Sequence, residues 1–141
     1  MQNLKHILLL ISLITFFNCS KKKEDYTQYL NGYWEIKHVT LNNGTEKSYK
    51  INETVDYIQI LNDSVGVRKK MKPKFDGTYS TTNFQEKFTF NLSENGLELN
   101  YKTPYYSWKE TIQSISKSEM TVVNDNKDVY LYKRYQPIKL D

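Results

Sequence analysis

The sequence predicts an all-β chain, an antiparallel up-and-down meander closing into a barrel of about eight strands. Three observations carry that prediction. Short runs rich in Tyr, Val, Ile, Thr and Phe recur from Tyr29 onward, and several alternate strictly between apolar and polar residues. Clusters of Asn, Asp, Ser, Gly and Pro separate these runs at short, regular spacing. No apolar stripe at helical period persists along the chain. A meander of eight or nine strands leaves two unpaired edges unless it closes, and closure removes both. A chain of 141 residues is the size of one domain.

The first strand covers 33–41, YWEIKHVTL, and stops at Asn42-Asn43-Gly44, a strong hairpin signal. A short strand over 46–51 is followed by 55–61, VDYIQIL. The turn Asn62-Asp63-Ser64 leads into 65–71, VGVRKKM, and Pro73, which lacks a ladder donor, ends that run. A strand over 77–82 precedes EKFTFNL, 86–92, where Phe88, Phe90 and Leu92 share one face and Lys87, Thr89 and Asn91 the other. Ser93-Glu94-Asn95-Gly96 turns the chain into LELNYK, 97–102, with Leu97, Leu99 and Tyr101 on one face. Beyond the loop holding Pro104 come YSWKETIQSI, 106–115, then EMTVVN, 119–124, then DVYLYKRY, 128–135. No internal repeat, low-complexity segment or second domain is evident.

Ahead of the strands lies a segment of different character. The run Ile7–Phe17 is apolar for 11 residues except at Ser12 and Thr15, follows Lys5 and His6, and ends in FFNCSKKKED. As a helix it would rise about 16 Å, short of a bilayer core of about 30 Å, and it fits the apolar region of a secretory signal. The one cysteine of the chain, Cys19, sits at its end. This arrangement resembles a bacterial lipoprotein signal of Bacteroidetes type, in which the cysteine becomes the lipidated first residue. The resemblance implies a signal peptide over 1–18, a lipidated Cys19 with its tether over 19–28, and a protein anchored to the outer membrane, on its periplasmic face or at the cell surface. A single cysteine forms no intramolecular disulfide.

The charge balance follows this division. Of 20 basic residues, four are Lys5 and Lys21–Lys23, so the remaining 16 offset the 16 acidic residues of 24–141. The folded part is neutral, which removes the basic footprint expected of a nucleic-acid binder. Lys21–Lys23 serve either as a solvated spacer or as contacts to anionic head groups.

The folded part carries a second resemblance. Gly32-Tyr33-Trp34 opens the first strand, and YLYKRY closes the last. The layout is similar to the small lipocalin-like lipoproteins of Bacteroidetes, over about 29–136, with 137–141 left as a tail. It implies that Gly32 and Trp34 form the barrel base and that Arg134, in phase with Tyr130 and Tyr132, stacks on the Trp34 indole. The chain departs from the larger lipocalins in lacking a Thr-Asp-Tyr motif, a disulfide pair and a C-terminal helix.

Nothing in the sequence assembles a catalytic constellation. Beyond the leader the chain holds a single histidine, His38, in mid-strand with no nucleophile or carboxylate signature beside it. No Cys/His/carboxylate cluster with metal-ligand spacing and no phosphate loop occurs, so no cofactor or metal is expected. The expected activity is non-catalytic binding of a small apolar or amphipathic molecule by a monomeric domain. Phe88, Phe90, Leu99, Tyr101, Trp108, Tyr130 and Tyr132 are the candidate interior residues. The alternative is a filled barrel that binds another envelope protein, and the size of the interior cavity separates the two. Two surface features complete the candidates. Arg68, Lys69, Lys70, Lys72 and Lys74 form a basic run, readable as an anion site or as lysines that guard a sheet edge. TPYYSWKE sets Tyr105, Tyr106 and Trp108 beside a loop, readable as a mouth that closes over a ligand or as ordinary packing.

Overall fold

The computed structural model describes residues 21–81 and 84–137. The leader, Cys19 and the last four residues lie outside the described residues. Ten antiparallel strands follow one short helix: α1 (Lys23–Leu30), β1 (Gly32–Thr40), β2 (Glu46–Ser48), β3 (Val55–Ile60), β4 (Val65–Pro73), β5 (Tyr79–Thr81), β6 (Glu86–Ser93), β7 (Gly96–Lys102), β8 (Ser107–Ile115), β9 (Glu119–Asn124) and β10 (Val129–Arg134). Eight of them pair in the ring β1-β3-β4-β6-β7-β8-β9-β10, and β10 returns to β1 from Trp34↔Arg134 to Thr40↔Val129. This is a closed up-and-down barrel with no free edge in the ring. The two short strands are accessories: β2 pairs β1 over His38–Thr40, and β5 pairs β4 over Met71–Pro73.

Register decides which side chains enter the barrel. Phe88 faces Tyr101, Phe90 faces Leu99 and Leu97 faces Ile112 across neighbouring strands. The core runs through Trp34, Ile58, Phe88, Phe90, Leu97, Leu99, Tyr101, Ile112, Met120, Val122 and Tyr132, all buried. β-Bulges in β1, between Ile36 and His38, and in β8, between Ile112 and Ser114, shift the inward set by one residue and bend the wall. Gly66 belongs to the inward set on β4, opposite Phe88. A Cβ there would overlap the Phe88 ring, so the glycine makes room for the aromatic.

The helix corrects one expectation. The segment 19–28 reads as tether, yet from Lys23 the chain is helical, and Tyr26 and Leu30 are buried in the core. These two lie four residues apart, hence on one helical face. Two positions are too few for a periodic signal, and tertiary packing stabilises so short a helix. Its first turn is fastened by the Lys22 backbone N–H donating to Asp25 Oδ2 at 2.8 Å and by the Lys23 ammonium donating to the Asp63 carbonyl. Its end is tied to β3 by the Ile60 N–H donating to Asn31 Oδ1 at 2.7 Å.

A partial outer layer covers β1 and β10. The β4–β5 hairpin folds back so that Tyr79 stacks on Tyr33 at 4.4 Å and meets Tyr135 edge-on at 6.3 Å. The segment 49–54 crosses the gap between β2 and β3 along β1. The Tyr49 N–H donates to Lys37 O at 3.0 Å and Asn52 Nδ2 donates to Ile36 O at 2.9 Å, satisfying carbonyls that no strand reaches.

Candidate functional site

The closed end of the barrel is built around Trp34. Its indole N–H donates to Leu30 O at 2.9 Å, and the Arg134 guanidinium lies 3.8 Å from its ring centroid. Arg134 also donates from Nε to Lys117 O, from Nη1 to Asn31 O and from Nη2 to Tyr29 O, at 3.2, 2.8 and 2.6 Å. One side chain thus gathers the end of α1, the β8–β9 turn and the start of β1. Gly32 makes this approach feasible: its φ is +122°, and a Cβ would lie 2.7 Å from Arg134 Nη1.

Above this base the barrel is filled. Phe88, Phe90, Leu99, Tyr101 and Tyr132 are buried, and Trp108 and Tyr130 are half-buried against them. Between them lies Arg68, its side chain 11% exposed, donating from Nε to Glu86 Oε2 at 2.7 Å and from Nη1 to Glu110 Oε2 at 2.9 Å. The guanidinium also sits 4.5 Å from the Tyr101 ring centroid. Nearer β3, Lys70 Nζ lies 2.6 Å from Oδ1 of the buried Asp56. The interior void bounded by Asp56, Arg68, Tyr101, Glu110 and Tyr132 is about 10 Å³, room for one water and no larger ligand. Ligand chambers run to about 300 Å³ or more.

This interior sets its own electrostatics. Burial alone would lower the Arg68 guanidinium, but Tyr101 and the carboxylates of Glu110, Asp56 and Glu86 outweigh it and hold it well above its ordinary value. Burial pushes the Tyr101 and Tyr132 phenols well above their usual range. The cluster is an ion-pair network in which one guanidinium is shared by two carboxylates.

The basic run therefore divides. Arg68 is an interior ion-pair partner and so leaves the cationic run, while Lys70, 57% exposed, reaches in from solvent to the buried Asp56. Lys69 is half-buried opposite Tyr57, and Lys72 and Lys74 are exposed on the β4–β5 hairpin. Glu86, Glu110 and Asp56 were not singled out from the sequence. The signal was present as parity: Glu86 is in phase with Phe88 and Phe90, Glu110 with Trp108 and Ile112, and Arg68 with Gly66.

At the other end of the barrel the loop after β7 presents Tyr105 and Tyr106 to solvent, Tyr105 at 90% exposure. The loop is well fastened: the Tyr105 and Tyr106 N–H groups donate to Thr103 Oγ1, and the Thr103 N–H donates to Tyr106 O at 2.9 Å. Trp108 stacks on Tyr101 at 4.7 Å, with Tyr106 tilted against it at 5.3 Å. Beside it, an open groove of about 660 Å³ runs over the outer face of β6–β8, flanked by Lys87, Lys102, Lys109 and Asp125.

Among the described residues no group of three or more His, Cys, Asp or Glu side chains is placed to hold a metal ion. His38 lies on the outer wall, with Nδ1 2.9 Å from Ser48 Oγ. Residues 30–122 match the family model for a lipocalin-like domain. A comparison with curated proteins finds no match. Similar solved structures include a lipocalin-like protein from Bacteroides uniformis ATCC 8492, at 9% identity over 75% of this chain and 98% of that chain, TM-score 0.47. An uncharacterized protein from Bacteroides eggerthii DSM 20697 is similar at 8% identity over 75% and 99% of the two chains, TM-score 0.47. Apocrustacyanin C1 is similar at 11% identity over 84% and 67%, TM-score 0.48.

Proposed function

Because the chain belongs to the lipocalin-like domain family, we propose that it is a non-catalytic binding protein of the cell envelope, anchored through Cys19, whose barrel is a packed scaffold and whose contacts are made from outside. The observation that carries the reading is the filled interior. Arg68 bridges Glu86 and Glu110 across the barrel, and the void that Arg68 and Glu110 bound with Asp56, Tyr101 and Tyr132 is about 10 Å³. The contact surface is the rigid Tyr105–Tyr106 loop with the groove over β6–β8 beside it. Exposed tyrosines on a fastened loop lose little conformational freedom on binding, and a protein partner rewards that rigidity.

A second reading keeps a small amphipathic molecule as the ligand. It is favoured by Trp108, half-buried at the mouth and held by ring contacts to Tyr101 and Tyr106. Swinging that indole outward would uncover the face of the Tyr101 ring on which it stacks.

One experiment separates them. The protein is purified from its own host envelope and measured by native mass spectrometry. A reproducible protein partner, lost on Tyr105→Ser and Tyr106→Ser, supports the outer-surface reading. A small molecule bound to the wild type and lost on Trp108→Ala supports the mouth. The anchor has its own test: metabolic labelling with a fatty acid should mark the wild type and leave Cys19→Ser unlabelled, and equal labelling of both would sink it.

A further inference from the structure

On the outer wall of β1 and β10, the β4–β5 hairpin and the segment 49–54 enclose a groove of about 470 Å³. Its rim carries Phe75 and Ile51, 83% and 82% exposed. Its lining includes Lys50, Lys72, Lys74 and Lys133 against Glu35 and Glu53. Glu35 is engaged by Lys133 at 3.2 Å and by Asn52 Nδ2 at 3.2 Å. No ion pair holds Lys50, Lys72 or Lys74 among the described residues, although Lys74 lies near enough to help lower the Asp76 carboxyl, after its hydrogen bonds from Thr78. The groove lining is thus net positive, with two protruding apolar side chains at its edge.

The hairpin tip that carries Phe75 is well fastened. Asp76 Oδ1 accepts from the Thr78 N–H and hydroxyl at 2.9 and 2.6 Å, and the Lys74 N–H donates to Thr78 O at 2.9 Å. Its stem is fastened by the Tyr79–Tyr33 stack. The tip holds Phe75 out in water, although nothing in its turn chemistry requires an aromatic there.

We propose that this groove docks on the surface of an anionic bilayer, with Phe75 and Ile51 entering the boundary of the acyl region and Lys50, Lys72 and Lys74 contacting lipid phosphates. The complementarity argues for this occupant. Lysines extend apolar stems beside an inserted ring while their ammonium groups stay at head-group level. Attraction to anionic lipid adds to the apolar burial. A protein partner seated in the groove would be expected to meet apolar residues at its centre and charge at its rim, and here the two apolar side chains stand at the edge. The inference goes beyond the reading above and depends neither on Cys19 nor on what the Tyr105 loop binds.

The test places a reporter at the tip of the full-length chain. Phe75→Trp, at a position too exposed to disturb the core, is compared with wild type by difference fluorescence. Vesicles are phosphatidylglycerol mixed with phosphatidylethanolamine, or phosphatidylcholine alone. Wild type carries the same N-terminal segment with Lys5 and Lys21–Lys23, so the difference signal reports the surroundings of the tip alone. The expected result is a shift to shorter wavelength with the anionic vesicles and none with phosphatidylcholine. Adding Lys72→Gln and Lys74→Gln should weaken the response about 30-fold, from about 1 kcal/mol for each lysine near a charged surface. No shift with anionic vesicles overturns the proposal. An equal shift with phosphatidylcholine removes the role of the lysines and overturns it as well. A shift produced by soluble poly-glutamate and not by vesicles makes the occupant an acidic chain, which also overturns it.

Discussion

Trp34 and Arg134 carry the closed end of the barrel between them, one as the buried indole and the other as the side chain that collects three backbone carbonyls. Trp34→Ala should therefore cost about 3–5 kcal/mol in urea unfolding, as large-to-small core changes do. Gly32→Ala should be destabilising through both its positive φ and its crowding of Arg134. The interior staple behaves differently, because one guanidinium holds two carboxylates together. Arg68→Met leaves Glu86 and Glu110 without their counter-charge and should cost about 3 kcal/mol. Adding Glu86→Gln and Glu110→Gln should recover much of that loss in the same assay. The two cases also differ in how far the sequence betrays them. Trp34 and Arg134 sit at the ends of the first and last strands, where motif and parity are plain. Arg68 sits in a run of basic residues that looks like surface, and only the facing carboxylates on β6 and β8 reveal its direction.

The elements divide by how much of their own pairing they contain. β6 and β7 alternate cleanly and are joined by a short turn, so their register is legible from local pattern alone. β2 and β5 are short and pair only with the ends of β1 and β4, which makes them weak signals in the sequence. α1 is weaker still, since its helical conformation rests on Tyr26 and Leu30 reaching the barrel base. The β4–β5 hairpin is where element packing matters most, because it lies on β1 and β10 through ring contacts between tyrosines. Tyr79→Ser should leave the barrel folded and loosen this outer layer. Hydrogen exchange would show the change as faster exchange in 73–81 and 49–54, with β6–β8 unaffected.

At the scale of the whole molecule, closure of the ring by β10 on β1 creates an interior in which ionisable groups are shielded from water. Tyr101 and Tyr132 have pKa values raised by that burial above the ordinary 10.0. A raised folded-state pKa means that the unfolded chain releases these protons first. Their contribution to stability is present below about pH 10 and is lost as pH rises through the folded values. Alkaline unfolding should therefore set in above about pH 10 and coincide with phenolate absorbance from the two rings. Tyr101→Phe should make the transition less steep in pH.

The sequence by itself determined the class of the fold, the positions of the long strands and the neutrality of the folded part, because alternation, turn residues and charge are local properties of the chain. It also set the expectation of an anchor at Cys19, from a leader that needs no fold to be read. Only the tertiary structure decided that the barrel is filled. Whether inward-facing tyrosines line a chamber or close it depends on the ring size, on the bulges in β1 and β8, and on Arg68 meeting Glu86 and Glu110 from three separate strands. Those contacts join residues 18 and 42 positions apart, so they come into being only when the sheet closes.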